Sequence, residues 1–69
     1  MNIIIYTTPT CPKCKILKTK LEQKNLNYTE NQNEKEMVEL GLRSVPYLNI
    51  DGKLLNFGQA NEWINNLEI

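Results

Sequence analysis

The sequence predicts an α/β fold, a three-layer sandwich of helices about a four-stranded mixed sheet, in the order strand, helix, strand, helix, hairpin, helix. Three observations carry this. The apolar run Ile3-Ile4-Ile5-Tyr6 leads directly to a proline and a segment rich in helix formers. Asp51-Gly52 separates two short strand-like segments, and the last stretch repeats its apolar residues at helical spacing. A chain of 69 residues makes one small domain, since it buries only roughly 60% of the surface exposed on unfolding, and residues 1–69 are read as that domain.

Ile3 to Tyr6 is β-branched and aromatic and stops at Thr7-Thr8-Pro9, which reads as a buried strand. Pro12 suits the first turn of a helix, where its missing N–H has no partner in any case, and helix formers continue to about Lys24. Cys14, Leu17 and Leu21 fall on one face of that helix and are expected in the core. A second strand is expected near Asn27 to Glu30. Asn33, with Glu36 three residues on, resembles a capping box for a helix over about Glu34 to Leu40, and Gly41 is placed to end it. A strand, a crossover helix and a second, parallel strand open the sheet, and the added hairpin makes it mixed.

Tyr47 to Ile50 and Lys53 to Leu55 flank Asp51-Gly52, the dipeptide of a tight hairpin turn. From about Gln59 to Leu67, Ala60, Trp63, Ile64 and Leu67 recur at helical spacing, so an amphipathic helix closes the fold. Trp63, Tyr6 and Tyr47 are read as core residues.

Eight basic and eight acidic residues balance and there is no histidine, so neither a nucleic acid nor a membrane surface is an expected partner. Lys13, Lys15, Lys18 and Lys20 form one cationic cluster, whose plain reading is a solvated helix face. The N-terminal residues lack a basic leader and a cleavage site, and no apolar run is long enough to span a membrane; the expectation is a cytoplasmic protein. In that compartment persistent disulfides are rare.

Two cysteines, Cys11 and Cys14, stand in Thr-Cys-Pro-Lys-Cys. A bridge between them closes so small a loop that it removes little entropy from the unfolded chain, and chemistry explains the pair better than stability does. A Cys-X-X-Cys pair also fits half of a zinc site. With no histidine and no further cysteine, that alternative requires several carboxylates or a dimer in which two chains share one ion.

At the junction of a strand and a helix the redox reading has a physical basis. Thiolate is the nucleophile, and a helix N-terminus offers free N–H groups and the positive end of a dipole. Cys11 sits there, with Lys13 and Lys15 adding positive charge. Cys11 is therefore expected to attack a substrate disulfide, and Cys14, one turn along and more buried, to resolve the mixed disulfide. No bound metal or organic cofactor is needed. Arg43-Ser44-Val45-Pro46 is the second informative segment, since Pro46 is a candidate for a cis peptide that turns the Val45 backbone toward an extended substrate; the plainer reading is a strand-entry proline.

Tyr6-Thr7-Thr8-Pro9-Thr10-Cys11-Pro12-Lys13-Cys14 resembles the active-site segment of glutaredoxins, and Gly41-Leu42-Arg43-Ser44-Val45-Pro46 resembles their Thr-Val-Pro segment. The likeness extends over essentially the whole chain and includes the short redoxins that reduce ribonucleotide reductase. It implies a thioredoxin fold, an electron carrier with Cys11 as nucleophile and Cys14 as resolving thiol in a redox disulfide, and Pro46 as a cis-proline opposite them. It implies a binding surface of Pro12, Lys13, Val45, Pro46, Gly58 and Gln59 for glutathione or substrate. The external reductant is then glutathione or an NADPH-dependent thioredoxin reductase. The partner is a disulfide-containing protein, such as ribonucleotide reductase, and the redoxin itself is expected to be a monomer.

The chain departs from the family pattern at several points. Thr8 replaces a lysine, Lys13 a tyrosine, Phe57 the first glycine of a Gly-Gly pair and Ala60 the following acidic residue. These are residues that commonly assist glutathione binding, so the clamp on its γ-glutamyl end is weakened. Arg43 is either part of the site or a solvated loop cation.

Overall fold

The computed structural model describes residues 2–67. Its elements are β1 (Ile3–Tyr6), α1 (Pro12–Gln23), β2 (Thr29–Asn31), α2 (Glu34–Glu39), β3 (Tyr47–Ile50), β4 (Lys53–Leu55) and α3 (Phe57–Asn65). The strands lie in the order β2-β1-β3-β4. β1 runs parallel to β2, with Ile4 opposite Thr29, and antiparallel to β3, with Ile5 opposite Leu48 and Tyr6 opposite Tyr47. The mixed sheet of the expected α/β fold is therefore present.

Side chains alternate across a strand, and the sheet divides accordingly. Ile3, Ile5 and Leu48 face α1 and α3, where they meet Leu17, Leu21, Ala60 and Ile64 in one buried cluster. Met37 of α2 is buried apart from that cluster and supplies the other helix layer. Trp63 is half-buried against the α1–α3 cluster, in keeping with a core role, and Tyr6 is buried. Among the described residues no helix is long and apolar enough to cross a membrane.

Local signals explain where most elements stop. α1 is terminated by Asn25, just past its C-cap, whose φ of 57° is left-handed; its N–H donates to the Glu22 carbonyl, and that of Leu26 to the Leu21 carbonyl. Gly41, at φ 76°, ends α2 in the same way, with Leu42 N–H reaching the Met37 carbonyl. Asp51 and Gly52 both have positive φ, as a type I′ hairpin turn requires.

Three expectations need correction. β2 begins at Thr29, not near Asn27, because this edge strand is fixed by pairing with β1 and not by its own polar residues. α3 begins at Phe57, two residues before Gln59. The Asn56 side chain accepts the Gln59 N–H at 2.9 Å while Gln59 Oε1 accepts the Asn56 N–H at 3.0 Å, a complete capping box that starts the helix early. At α2 only half of the expected box forms. Asn33 accepts the Glu36 N–H, but the Asn33 N–H donates to Asn31 Oδ1 instead of to Glu36.

Candidate functional site

The site begins where β1 ends. Thr7 N–H extends the ladder to the Asn31 carbonyl at 3.0 Å, and the chain then turns through Pro9 and Thr10 so that Cys11 N–H reaches the Thr8 carbonyl at 3.3 Å. Cys11 is the N-cap of α1 in an extended conformation, and Pro12 is the first helical residue. Cys11 Sγ accepts the Cys14 N–H at 3.1 Å, so sulfur does here what a cap oxygen does elsewhere. The two sulfurs are joined in a disulfide, with the Cα atoms 5.3 Å apart. Cys11 is half-exposed, whereas Cys14 is 1% exposed and heads the buried stripe of α1.

A groove of about 450 Å³ opens beside the pair and is lined by Thr8, Cys11, Cys14, Lys15, Lys18 and Gln32, among others. Lys18 of that groove belongs to a network that the sequence pattern does not announce. The fully buried Thr7 donates its hydroxyl to Glu30 Oε2 at 2.7 Å, and Lys18 Nζ donates to the same oxygen at 3.0 Å. The Thr7 hydrogen bond first, and that of Lys18 second, hold the Glu30 carboxyl below the usual glutamate range. One carboxylate thus ties β1, β2 and α1 together next to the cysteines. Nothing in the sequence spacing connects Thr7 with Glu30, since parallel pairing alone brings them together.

The lysine cluster is not simply a solvated face. Lys13 lies over the Phe57 ring, 5.4 Å from its centroid, and Lys20 donates to Asn61 and Asn65 of α3. With Lys18 engaged by Glu30, three of the four expected surface lysines bridge α1 to other elements.

Val45 and Pro46 precede β3, and the peptide between them is cis. Val45 and Thr8 line one groove, next to the point where Tyr6 pairs with Tyr47. The second motif therefore adjoins the loop that carries Cys11. Lys13 over Phe57 brings the start of α3 to the same end of the molecule. There Gly58 is exposed in the first turn, Gln59 spends its Oε1 on the cap, and Ala60 is fully buried and offers no side chain to a ligand. Arg43 is exposed and lines a smaller apolar groove with Val45. Among the described residues no cluster of three or more His, Cys, Asp or Glu side chains could hold a metal ion.

Comparison with known proteins agrees with this geometry. Residues 3–55 match the family model described as Glutaredoxin. An uncharacterized glutaredoxin-like 8.6 kDa protein of the rubredoxin operon of Clostridium pasteurianum is 40% identical over 60 residues, covering 77% of this chain and 80% of that one. Among solved structures, a mutant of the thioredoxin-like protein BC3987 superposes with a TM-score of 0.77 at 27% identity, over 97% of this chain and 100% of that one. The structural neighbour gives the thioredoxin-like fold. The family match over most of the chain, with a cysteine pair at the start of α1, leads to one conclusion: the chain belongs to the glutaredoxin family, whose general chemistry is thiol–disulfide oxidoreduction.

Proposed function

We propose that the protein is a dithiol electron carrier that reduces protein disulfides, with Cys11 as nucleophile and Cys14 as resolving thiol. The observation that carries the reading is the asymmetry of the joined pair. Cys11 is accessible at the N-terminus of α1 with its sulfur on a backbone N–H, while Cys14 is buried one turn behind. In the first step the Cys11 thiolate attacks one sulfur of the substrate disulfide, a Cys11–substrate disulfide forms, and the other substrate sulfur leaves as a thiolate. In the second, Cys14, deprotonated, attacks Cys11 Sγ. The Cys11–Cys14 bond forms, the substrate's remaining sulfur departs, and two electrons have passed to the substrate. The helix end and nearby cations stabilise the attacking thiolate, since the chain has no histidine to act as a base.

Two electrons must return from outside, and the reductant we assign is an NADPH-dependent thioredoxin reductase in preference to glutathione. Thr8 stands where the family often has a lysine, Lys13 is held over Phe57, Gln59 Oε1 is spent on its cap and Ala60 is buried. Each removes a group that would hold an end of glutathione. The protein works as a monomer in the cytoplasm, and ribonucleotide reductase belongs to the class of disulfide substrate this carrier serves.

The test is to offer the oxidised protein either thioredoxin reductase with NADPH, or glutathione with its own reductase, and to count the thiols regained. Recovery of both thiols is expected with the first. Rapid recovery with glutathione alone would move the reductant assignment to glutathione and its mixed disulfides. A pair that cycles with neither, and whose thiols alkylate at ordinary rates, would end the redox reading.

A further inference from the structure

We propose that the outer face of α1, around Ile16, docks an acidic protein surface that presents an apolar residue between its carboxylates, and that this surface flanks the disulfide which Cys11 attacks. The inference rests on the redox reading above, because the docked protein is the one that exchanges electrons with the cysteine pair.

α1 buries Cys14, Leu17 and Leu21 and turns Pro12, Ile16, Thr19 and Gln23 outward, where all four are exposed. These four, with Lys15 and Lys20, line a groove of about 410 Å³. Ile16 is its largest apolar side chain and is 47% exposed. A β-branched residue is a poorer helix former than the lysines around it, and here it lies outside the core, so neither helix propensity nor packing accounts for it. The charges around it are placed but not neutralised. Lys20 donates to the side-chain oxygens of Asn61 and Asn65, and Lys13 lies over the Phe57 ring, so neutral groups hold both ammoniums. Among the described residues Lys15 has no acidic partner, and Lys18 alone of the four lysines is paired with a carboxylate. Lys13, Lys15 and Lys20 thus leave three uncompensated positive charges on α1. Two of them are already fixed in position, which lowers the entropic cost of meeting an anion.

Position and charge together name the occupant. Pro12 and Lys15 line both this groove and the one beside Cys11, so the two adjoin. A helix rises about 1.5 Å per residue, which puts Ile16 roughly 7.5 Å along α1 from Cys11. Extended chain advances roughly 3.3 Å per residue, so the apolar residue that meets Ile16 lies about two or three residues from the reacting cysteine, with acidic neighbours for Lys15 and Lys20. The net charge of the chain is zero, and the acids that balance the lysines include Glu34, Glu36 and Glu39 of α2, in the other helix layer. That separation of charge turns α1 toward a locally acidic protein. It gives no long-range attraction to a uniform polyanion such as a nucleic acid or an anionic membrane.

The experiment uses disulfide-linked peptides that differ only in a tripeptide centred about three residues from the cysteine, on either side, as Glu-Leu-Glu, Glu-Gly-Glu, Lys-Leu-Lys or Ser-Gly-Ser. Their kcat/KM is measured with the reduced protein, with Ile16→Gln and with Thr19→Glu, the folding of each variant being checked by circular dichroism. Glu-Leu-Glu on one side is expected to exceed Ser-Gly-Ser about tenfold, and to lose most of that advantage in about 1 M salt, where charges are screened beyond about 3 Å. Ile16→Gln is expected to bring Glu-Leu-Glu level with Glu-Gly-Glu, and Thr19→Glu to shrink the preference for Glu-Leu-Glu over Lys-Leu-Lys. Equal rates for all four peptides would overturn the proposal, as would a preference for Glu-Leu-Glu that both variants retain in full. A solution mass that shows a dimer, reduced to a monomer by Ile16→Gln, would give the face to a second copy of the chain and overturn it too. Phosphatidylserine vesicles that retain the parent protein but not the Thr19→Glu variant would give the face to a membrane, with the same consequence. Absence of turnover with every peptide would remove the redox reading itself, and this inference with it.

Discussion

Cys11 Sγ accepts the backbone N–H of Cys14 at 3.1 Å, so the sulfur occupies the cap of its own helix. A negative charge at that position meets an N–H that has no partner within the helix and the positive end of the helix dipole. In the reduced protein the Cys11 thiol is therefore expected to titrate below the ordinary value of about 8.5, and its alkylation rate to rise with pH through that lowered pKa. Cys11→Ser should abolish disulfide reduction. Cys14→Ser should permit the first attack and accumulate a mixed disulfide on Cys11, readable by intact mass.

Glu30 makes the molecule sensitive to acid. Its folded-state pKa is lowered, first by the Thr7 hydroxyl and then by Lys18, so its contribution is complete above the ordinary glutamate range and is lost as pH falls through the lowered value. Glu30→Gln should cost stability near pH 7. That difference from the parent should shrink as pH falls below the ordinary glutamate range and through the lowered value, as the parent's own carboxylate takes up its proton. Urea midpoints at the two ends of this window check both the size and the sign.

Lys13 over Phe57 joins the turn between the cysteines to the start of α3. A cation–π contact at an exposed site contributes about 0.5–1 kcal/mol. A double-mutant cycle with Lys13→Met and Phe57→Leu should return a coupling of that size, and a coupling indistinguishable from zero would show that the two side chains do not hold each other in solution.

Asn56 and Gln59 start α3 by satisfying each other's backbone donors. Asn56→Ala should destabilise the fold by about 1 kcal/mol, and for a domain of this size that lowers Tm by roughly 4–8 °C. Asn56→Asp, which keeps an accepting oxygen at the helix N-terminus, should recover most of the loss.

The sequence was most legible where structure is local. The β-branched run of β1, the proline at the start of α1 and the Asp51-Gly52 turn each carry their conformation in adjacent residues. β2 lies about two residues later at its start than the sequence suggests, because Glu30 and Asn31 carry no strand signal of their own and the parallel register with β1 decides where they pair. The start of α3 is written in Asn56 with Gln59 three residues on, a capping signal that the apolar spacing from Ala60 onward obscures. In the site, Cys11, Cys14 and the Val45-Pro46 motif could be found from residue types. Thr7 with Glu30, and Lys13 with Phe57, could not, because each pair is remote in sequence and meets only through the packing of the sheet and helices.

Cys14 shares one buried helix face with Leu17 and Leu21, and that packing acts as a filter on damage. Cys14 is 1% exposed, so an adduct of any size on it would have to displace close-packed side chains, whereas Cys11 is half-exposed. Alkyl groups, glutathione or higher oxidation states are therefore steered to the outer sulfur. Where the modification is itself a disulfide, the proposed cycle has the inner sulfur, one helical turn away, remove it, and the core that stabilises the fold would then also keep the repairing thiol clean.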